Sequence, residues 1–272
     1  MKYEDRLVAF IDILGFKNLV GETVDAKGIE NTDKIAHLYE SYEIIQKNWS
    51  NAQGLSESKR VTIFSDCIVV SVKISETSQI FWTLIEIKHL IMQLIWRGIL
   101  VRGAMVRGKL IHDTNKVFGP ALVEAYLLES KAAHYPRVIL DRSLVKSASE
   151  ARASGHSIKD EETYVRALLE QDSDGMYYID YFFKASDELD DPEYEFPEYI
   201  SSLGEIIRKG LMGSSHQSKA DLRVKFSWMR ERYNKMVDAV RPLQGSIENA
   251  MGQDNDLYQF YASLKKISPD RQ

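Results

Sequence analysis

Leu7–Ile13, LVAFIDI, is a short run of apolar residues broken only by Asp12, and Gly15 follows at once. Such a run suits a buried strand, with the glycine opening the turn that leaves it. From Lys34 to Trp49 the residues Ile35, Leu38, Tyr42, Ile45 and Trp49 recur at steps of three and four, the spacing of a helix with one apolar face. Residues 50–59 are polar and serine-rich and read as a loop. VTIF and CIVVSVK then flank the polar pair Ser65-Asp66, the pattern of a hairpin.

Further out, Gln79–Trp96 is an apolar helix ended by Arg97-Gly98. ILVRGAMVRGKLIHD supplies another strand or strand pair, with Gly103 and Gly108 marking bulges or close backbone approach. Pro120 opens a helix reaching about His134, and RVILD is a strand. The order is that of a split βαβ unit, so the fold class is α+β. A ferredoxin-like βαββαβ core is expected, with helices on one face of an antiparallel sheet and a C-terminal helical extension. MYYID (Met176–Asp180) adds a strand, and Asp187–Glu198, acidic with two prolines, reads as an exposed loop. Leu222, Phe226, Met229, Tyr233 and Val237 trace a further helix, before a polar tail from Arg241. The expected division is residues 1–180 for the core and 181–272 for the acidic loop and helical extension, packed as one unit.

The 272 residues are 44% apolar, enough for a sizeable core, and 35 basic against 40 acidic residues give a net charge of −5. That balance argues against a general nucleic-acid binder, though not against a small polyphosphate held by a few cations and backbone amides. A single cysteine, Cys67, excludes an internal disulfide and a multi-thiolate zinc site. The first ten residues do not resemble a signal peptide, and Glu86, Lys88 and His89 interrupt the most apolar stretch. The expected location is therefore the cytoplasm, with no membrane partner.

Two carboxylates carry the chemistry. Asp12 ends an otherwise apolar strand and Asp66 sits at the hairpin tip; in a split βαβ core these strands are sheet neighbours. Two carboxylates meeting there suit a hard ion, Mg²⁺ or Mn²⁺, shared with substrate phosphates. A turn cap at Asp12 and a plain hairpin tip at Asp66 account for the same spacing. Gly15, between strand and helix, frees backbone amides for an anion.

FIDILGF (Phe10–Phe16), FSDCIVV (Phe64–Val70) and VFGPALVEAYLLES resemble, in this order, three signatures of the nucleotidyl cyclase catalytic domain, the adenylate and guanylate cyclase family. Within it the chain looks closest to the bacterial pyrimidine cyclases of Pycsar anti-phage defence, a likeness that RGAMVRG and the run through AAHYPRV strengthen. The resemblance covers roughly residues 5 to 145. It implies two metal ions on Asp12, Asp66 and the Ile13 carbonyl, with amides of Leu14, Gly15 and Phe16 cradling phosphates. It also implies a homodimer with sites at the interface, a UTP or CTP substrate, and a separate effector that reads the cyclic product.

The chain departs from the family at several points. Where purine cyclases carry a ribose-orienting Asn and a transition-state Arg, this sequence has Val123 and Leu127. Arg102 and Arg107 are the candidate replacements; five residues apart, they point to opposite faces of a regular strand. The base-reading offsets fall on Thr62 and Lys116, neither the adenine nor the guanine pair. Tyr42 is a candidate base contact and Lys225 a candidate triphosphate contact. A catalytically silent nucleotide-binding module and a rearranged purine cyclase are the alternatives.

Overall fold

A computed structural model describes residues 2–50, 56–251 and 256–269, in two compact units, Met1–Asp180 and Tyr181–Gln272. In the first, β1 (Glu4–Ile13) leads through α1 (Phe16–Gly21) and α2 (Thr32–Ser50) to the hairpin β2 (Arg60–Phe64) and β3 (Cys67–Lys73). Helix α3 (Gln79–Trp96) precedes β4 (Val101–His112), the short β5 (Val117–Phe118), α4 (Pro120–Ala132) and β6 (Val138–Leu140). Then come α5 (Arg142–Ala148), α6 (Ile158–Ala167), β7 (Leu169–Gln171) and β8 (Tyr177–Ile179). The sheet order is β2-β3-β1-β4-β6-β8-β7, with β5 on β4. Its first four strands, all antiparallel, form the split βαββαβ core. The fold class is α+β. The sheet departs from pure antiparallel only where β6 runs parallel to β4. Of the expected 50–59 loop, residues 51–55 lie outside the described residues.

Strand β1 is central because both its faces are apolar. Val8 and Phe10 share a face with Val69 of β3 and Val106 and Leu110 of β4, and Ala121 and Ala125 of α4 pack against them. Leu7, Ala9, Ile11 and Ile13, alternating with these, are buried as well. Both faces are therefore covered, in contrast to the one-sided helical layer expected from the element order. The alternation makes the strand a two-sided core element, and each residue's face follows from its parity.

Glycines in β4 mark close approach rather than bulges. The β1–β4 register runs unbroken from Glu4↔Leu110 to Ile13↔Val101. A Cβ on Gly103 would lie 2.6 Å from the Phe10 carbonyl oxygen, and one on Gly108 would meet the Ala121 Cβ at 3.1 Å. These bare positions let β1 and α4 seat against β4.

The second unit contains α7 (Pro192–Gly213), α8 (Ala220–Met251) and α9 (Asp256–Ser263). The acidic stretch expected as a loop over Asp187–Glu198 is largely helical: a 3-10 turn covers Phe183–Glu188, and α7 begins at Pro192. Pro192 at the first helical position needs no N–H, and Glu193 and Glu195 complement the positive end of the helix. Those residues read as loop only when their position relative to a helix start is ignored. Helix α8 buries Met229, Tyr233 and Val237 along the expected stripe. The polar tail is helical to Met251 and over Asp256–Ser263 and then extends without helix, where Asn234 holds Ile267 by two bonds, Nδ2 to the carbonyl at 3.0 Å and amide to Oδ1 at 2.8 Å.

Gly103→Ala should destabilise the protein by about 2 kcal/mol through overpacking against Phe10, read as a lowered urea midpoint with unchanged slope.

Candidate active site at the β1 end and hairpin turn

Asp12 of β1 pairs directly with Cys67 of β3 and Arg102 of β4, so all three side chains leave the sheet on the face that α4 covers. The β2–β3 turn brings Asp66 alongside. Ser65 adopts a left-handed backbone, φ 53°, as the first central residue of a two-residue hairpin turn requires. A non-glycine residue there costs of order 1 kcal/mol, so the turn is held from outside. The Tyr42 hydroxyl of α2 donates to the Ser65 carbonyl at 2.5 Å, and the Ile13 amide donates to the Asp66 carbonyl at 3.0 Å. A residue's N–H and C=O face the same neighbour in an antiparallel ladder, so the Ile13 carbonyl is directed toward this turn.

Among the described residues, Asp12, Asp66 and Cys67 form the one group of three or more His, Cys, Asp or Glu side chains whose ligand atoms all lie within 4.8 Å of one another. Burial holds the Asp12 carboxyl above its usual range; Arg102 opposes the shift and Asp66 adds to it. The Cys67 thiol is pushed up to about 11, first by burial and then by Asp66, and remains protonated at neutral pH. The charged donors are thus two carboxylates, with a backbone carbonyl beside them. That set fits Mg²⁺ or Mn²⁺ and not a thiolate-seeking metal.

Arg102 Nε lies 3.1 Å from Asp12 Oδ2 and 2.6 Å from Glu129 Oε1 of α4. Arg107, of opposite parity, belongs to the other face, where it engages Asp5, Ser147 and Glu150. Of the two candidate arginines, the register brings only Arg102 to Asp12. Glu129 went unnoticed in the sequence. Its signal was there, since 121, 125 and 129 form one helical stripe whose other members are alanines, and a glutamate ending such a stripe is buried against the sheet.

The remaining candidates are placed as follows. Leu14 donates its amide to the Leu100 carbonyl at 2.8 Å, Gly15 has a left-handed φ of 75°, and Phe16 begins α1. Gly15 turns the chain from strand to helix, and the amides after it lie close to the end of β1. The Tyr42 and Phe16 rings make a T-shaped pair, centroids 6.4 Å apart, and the Tyr42 hydroxyl goes to the turn. Thr62 faces the α4 side, with Oγ1 2.9 Å from His112 Nε2; Ser71 Oγ is 2.8 Å from His112 Nδ1. Lys116 is exposed in the β4–β5 turn, its amide donating to Asp113. Lys225 is half-buried on α8 of the second unit. Val123 and Leu127 lie on the outer side of α4, 58% and 40% exposed.

No family profile and no curated protein matches the chain. Among solved structures it is similar to the adenylyl cyclase CyaB from P. aeruginosa, at 15% identity over 66% of this chain and 95% of that one, TM-score 0.38. A bacterial light-regulated adenylyl cyclase aligns at 16% identity over 54% of this chain, TM-score 0.36, and this chain spans 45% of its length. A class III adenylyl cyclase-like ATP-binding protein from Pseudomonas aeruginosa gives 13% identity over 61% of this chain and 40% of that one, TM-score 0.40. The fold rests on the strand order and register given above, not on these alignments. No helix among the described residues is long and apolar enough to cross a membrane.

His112 supplies a pH signature for this face. Burial, with the nearby Arg6 and Arg60, depresses its pKa from 6.5 to about 4. The unfolded chain therefore takes up this proton near pH 6.5, while the folded protein resists until near 4. This contribution to stability is complete above pH 6.5 and is lost as pH falls through that window. His112→Gln should lose less stability than wild type between pH 6.5 and 4, measured by urea denaturation.

Proposed function

We propose that the chain is a metal-dependent nucleotidyl cyclase that converts UTP or CTP to the 3′,5′-cyclic monophosphate and pyrophosphate. The observation that carries this is the convergence of Asp12, Asp66 and Arg102 at the end of β1, beside the glycine turn into α1. Two of the three motifs that resemble the cyclase family supply Asp12 and Asp66, and RGAMVRG supplies Arg102. Two adjacent carboxylates with one guanidinium suit a triphosphate carried with divalent cations.

Asp12, Asp66 and the Ile13 carbonyl would hold the metal, which when bound lowers the pKa of the ribose 3′-hydroxyl and offsets the triphosphate charge. The Leu14 amide is committed to the Leu100 carbonyl at 2.8 Å, which takes it out of the expected phosphate cradle and leaves the turn amides of Gly15 and Phe16 for phosphate oxygens. Arg102 reaches the same place from β4 and offsets the negative charge that develops at the α-phosphate as pyrophosphate leaves. The ribose 3′-oxygen forms a bond to the α-phosphorus, and the bond from that phosphorus to the bridging oxygen of the β-phosphate breaks. Pyrophosphate departs with that bond's electron pair, and the 3′-hydroxyl proton passes to solvent. Counted along the sequence from the motifs, Thr62, which His112 holds, and Lys116 fall at the offsets of the base-reading residues of purine cyclases. Their chemistry differs from both purine pairs, and this supports a pyrimidine. Tyr42 remains the candidate contact to the base.

The working unit in this reading is a homodimer. Helix α4 turns Val123, Tyr126 and Leu127 outward, with Phe118 just before it, all at least 40% exposed. An open depression of about 590 Å³, lined by Pro120, Val123, Glu124, Leu127, Leu128 and Lys131, lies along the same helix. A second copy covering this surface would place an interface on the helix that bears Glu129. The cyclic product would serve as a second messenger in anti-phage defence, read by a separate effector. Val123 and Leu127, apolar where purine cyclases carry catalytic groups, favour a second reading, a nucleotide-binding module without turnover.

The purified protein incubated with each ribonucleoside triphosphate and Mn²⁺ should give a cyclic product from one pyrimidine nucleotide, identified by mass. Asp66→Ala should lower that rate by more than about 100-fold with the fold intact by circular dichroism. A cyclic purine product would overturn the base assignment, and metal-dependent nucleotide binding without any product would favour the binding module. Leu127→Asp should convert a dimer to a monomer in analytical ultracentrifugation; an unchanged dimer would move the interface away from α4.

A further inference from the structure

Glu129 stands at the site, against Arg102, and has no part in the reading above. It is 2% exposed and stands on the α4 stripe otherwise made of Ala121 and Ala125, where an apolar residue is the ordinary choice. Burying a carboxylate there is costly unless a cation accompanies it, and Arg102 is that cation. The single Nε hydrogen goes to Asp12, while Glu129 Oε1 lies 2.6 Å from the same nitrogen as an ion pair without a hydrogen bond, so one guanidinium stands between two carboxylates supplied by different elements. The Asp12 side chain is 17% exposed and that of Glu129 3%, so the bridge runs from the open side of the site inward.

We propose that Arg102 is a resident counter-ion at Asp12 that the divalent metal displaces, and that Glu129 is the positioning residue that retains Arg102 in the site after the exchange. The proposal rests on the metal-dependent reading above. A divalent ion on Asp12 must replace the charge that Arg102 supplies, because two cations beside one carboxylate repel. Arg102 then keeps one fixed partner, on the wall of the site, and its remaining donors are free to turn toward an anionic substrate. A planar fork with five donors can hold Glu129 and a phosphate oxygen together, which a lysine ammonium does less well. Glu129 thus acts through Arg102. Its place on a helix packed against β1 and β4 fixes the distance over which the guanidinium moves.

Mn²⁺ affinity, read by electron paramagnetic resonance of the free ion without nucleotide, tests this apart from turnover. Arg102→Met should bind Mn²⁺ about tenfold tighter than wild type while losing nucleotide turnover, opposite changes that damage to the fold does not produce. Glu129→Gln should bind Mn²⁺ about threefold or more weaker, because Arg102 then falls wholly on Asp12. In the Arg102→Met background the Glu129→Gln effect should vanish. Equal or weaker binding by a folded Arg102→Met overturns the exchange. A Glu129→Gln effect of full size in the double variant means that Glu129 acts on the ion directly, and overturns the positioning role. Should Arg102→Met fail to fold, unchanged or tighter binding by Glu129→Gln overturns the proposal. Mn²⁺ binding by Arg102→Met alone supports the exchange, and no binding by either wild type or Arg102→Met removes the metal reading together with it.

Discussion

The Asp12 carboxylate at the end of a fully covered strand is the constraint around which the site is arranged. β1 buries both faces over most of its length, so a charge at Asp12 is tolerable only where the strand leaves the core and a cation is at hand. Arg102 is that cation, and the β1–β4 register delivers it: Asp12↔Arg102 is a directly opposed pair. Because register is set by the apolar alternation along both strands, the charge pair is a consequence of packing the core. A slip of one residue would send Arg102 to the wrong face.

The hairpin turn is held in a similar way. Ser65 has an unfavourable backbone angle, and nothing local recommends a serine there over glycine or asparagine. Tyr42 and the Ile13 amide anchor the turn from α2 and β1, so Asp66 sits beside Asp12 because three separate elements meet at one place. Tyr42 therefore has a defined structural part whatever base the site takes. This is the arrangement expected of a functional turn: local strain offset by tertiary contacts.

Similar logic explains where sequence reading was partial. The acidic Asp187–Glu198 stretch carried loop signals in its prolines and charges, yet Pro192 and the glutamates after it are well suited to a helix start. Composition alone does not distinguish these, because the same residues are favourable in both. Gly103 and Gly108 announced special backbone in β4, and the unbroken register selects close approach over bulges. Glu129 was visible as a charge on a small-residue stripe, but its partner lies 27 positions away in sequence, and only the packing of α4 on β4 brings them together.

The sequence by itself determined the element order of the βαββαβ core, the α+β class and the hairpin, and it set Asp12 and Asp66 apart as carboxylates on otherwise apolar elements. Those features are local: alternation, helical spacing and turn residues act within a few positions of one another. Tertiary structure decided which of two arginines reaches Asp12, that a buried glutamate joins them, and that Tyr42 holds the turn carrying Asp66. Each of those depends on register or helix seating across long stretches of chain. Such contacts are fixed by the joint packing of several elements, and no single segment encodes them.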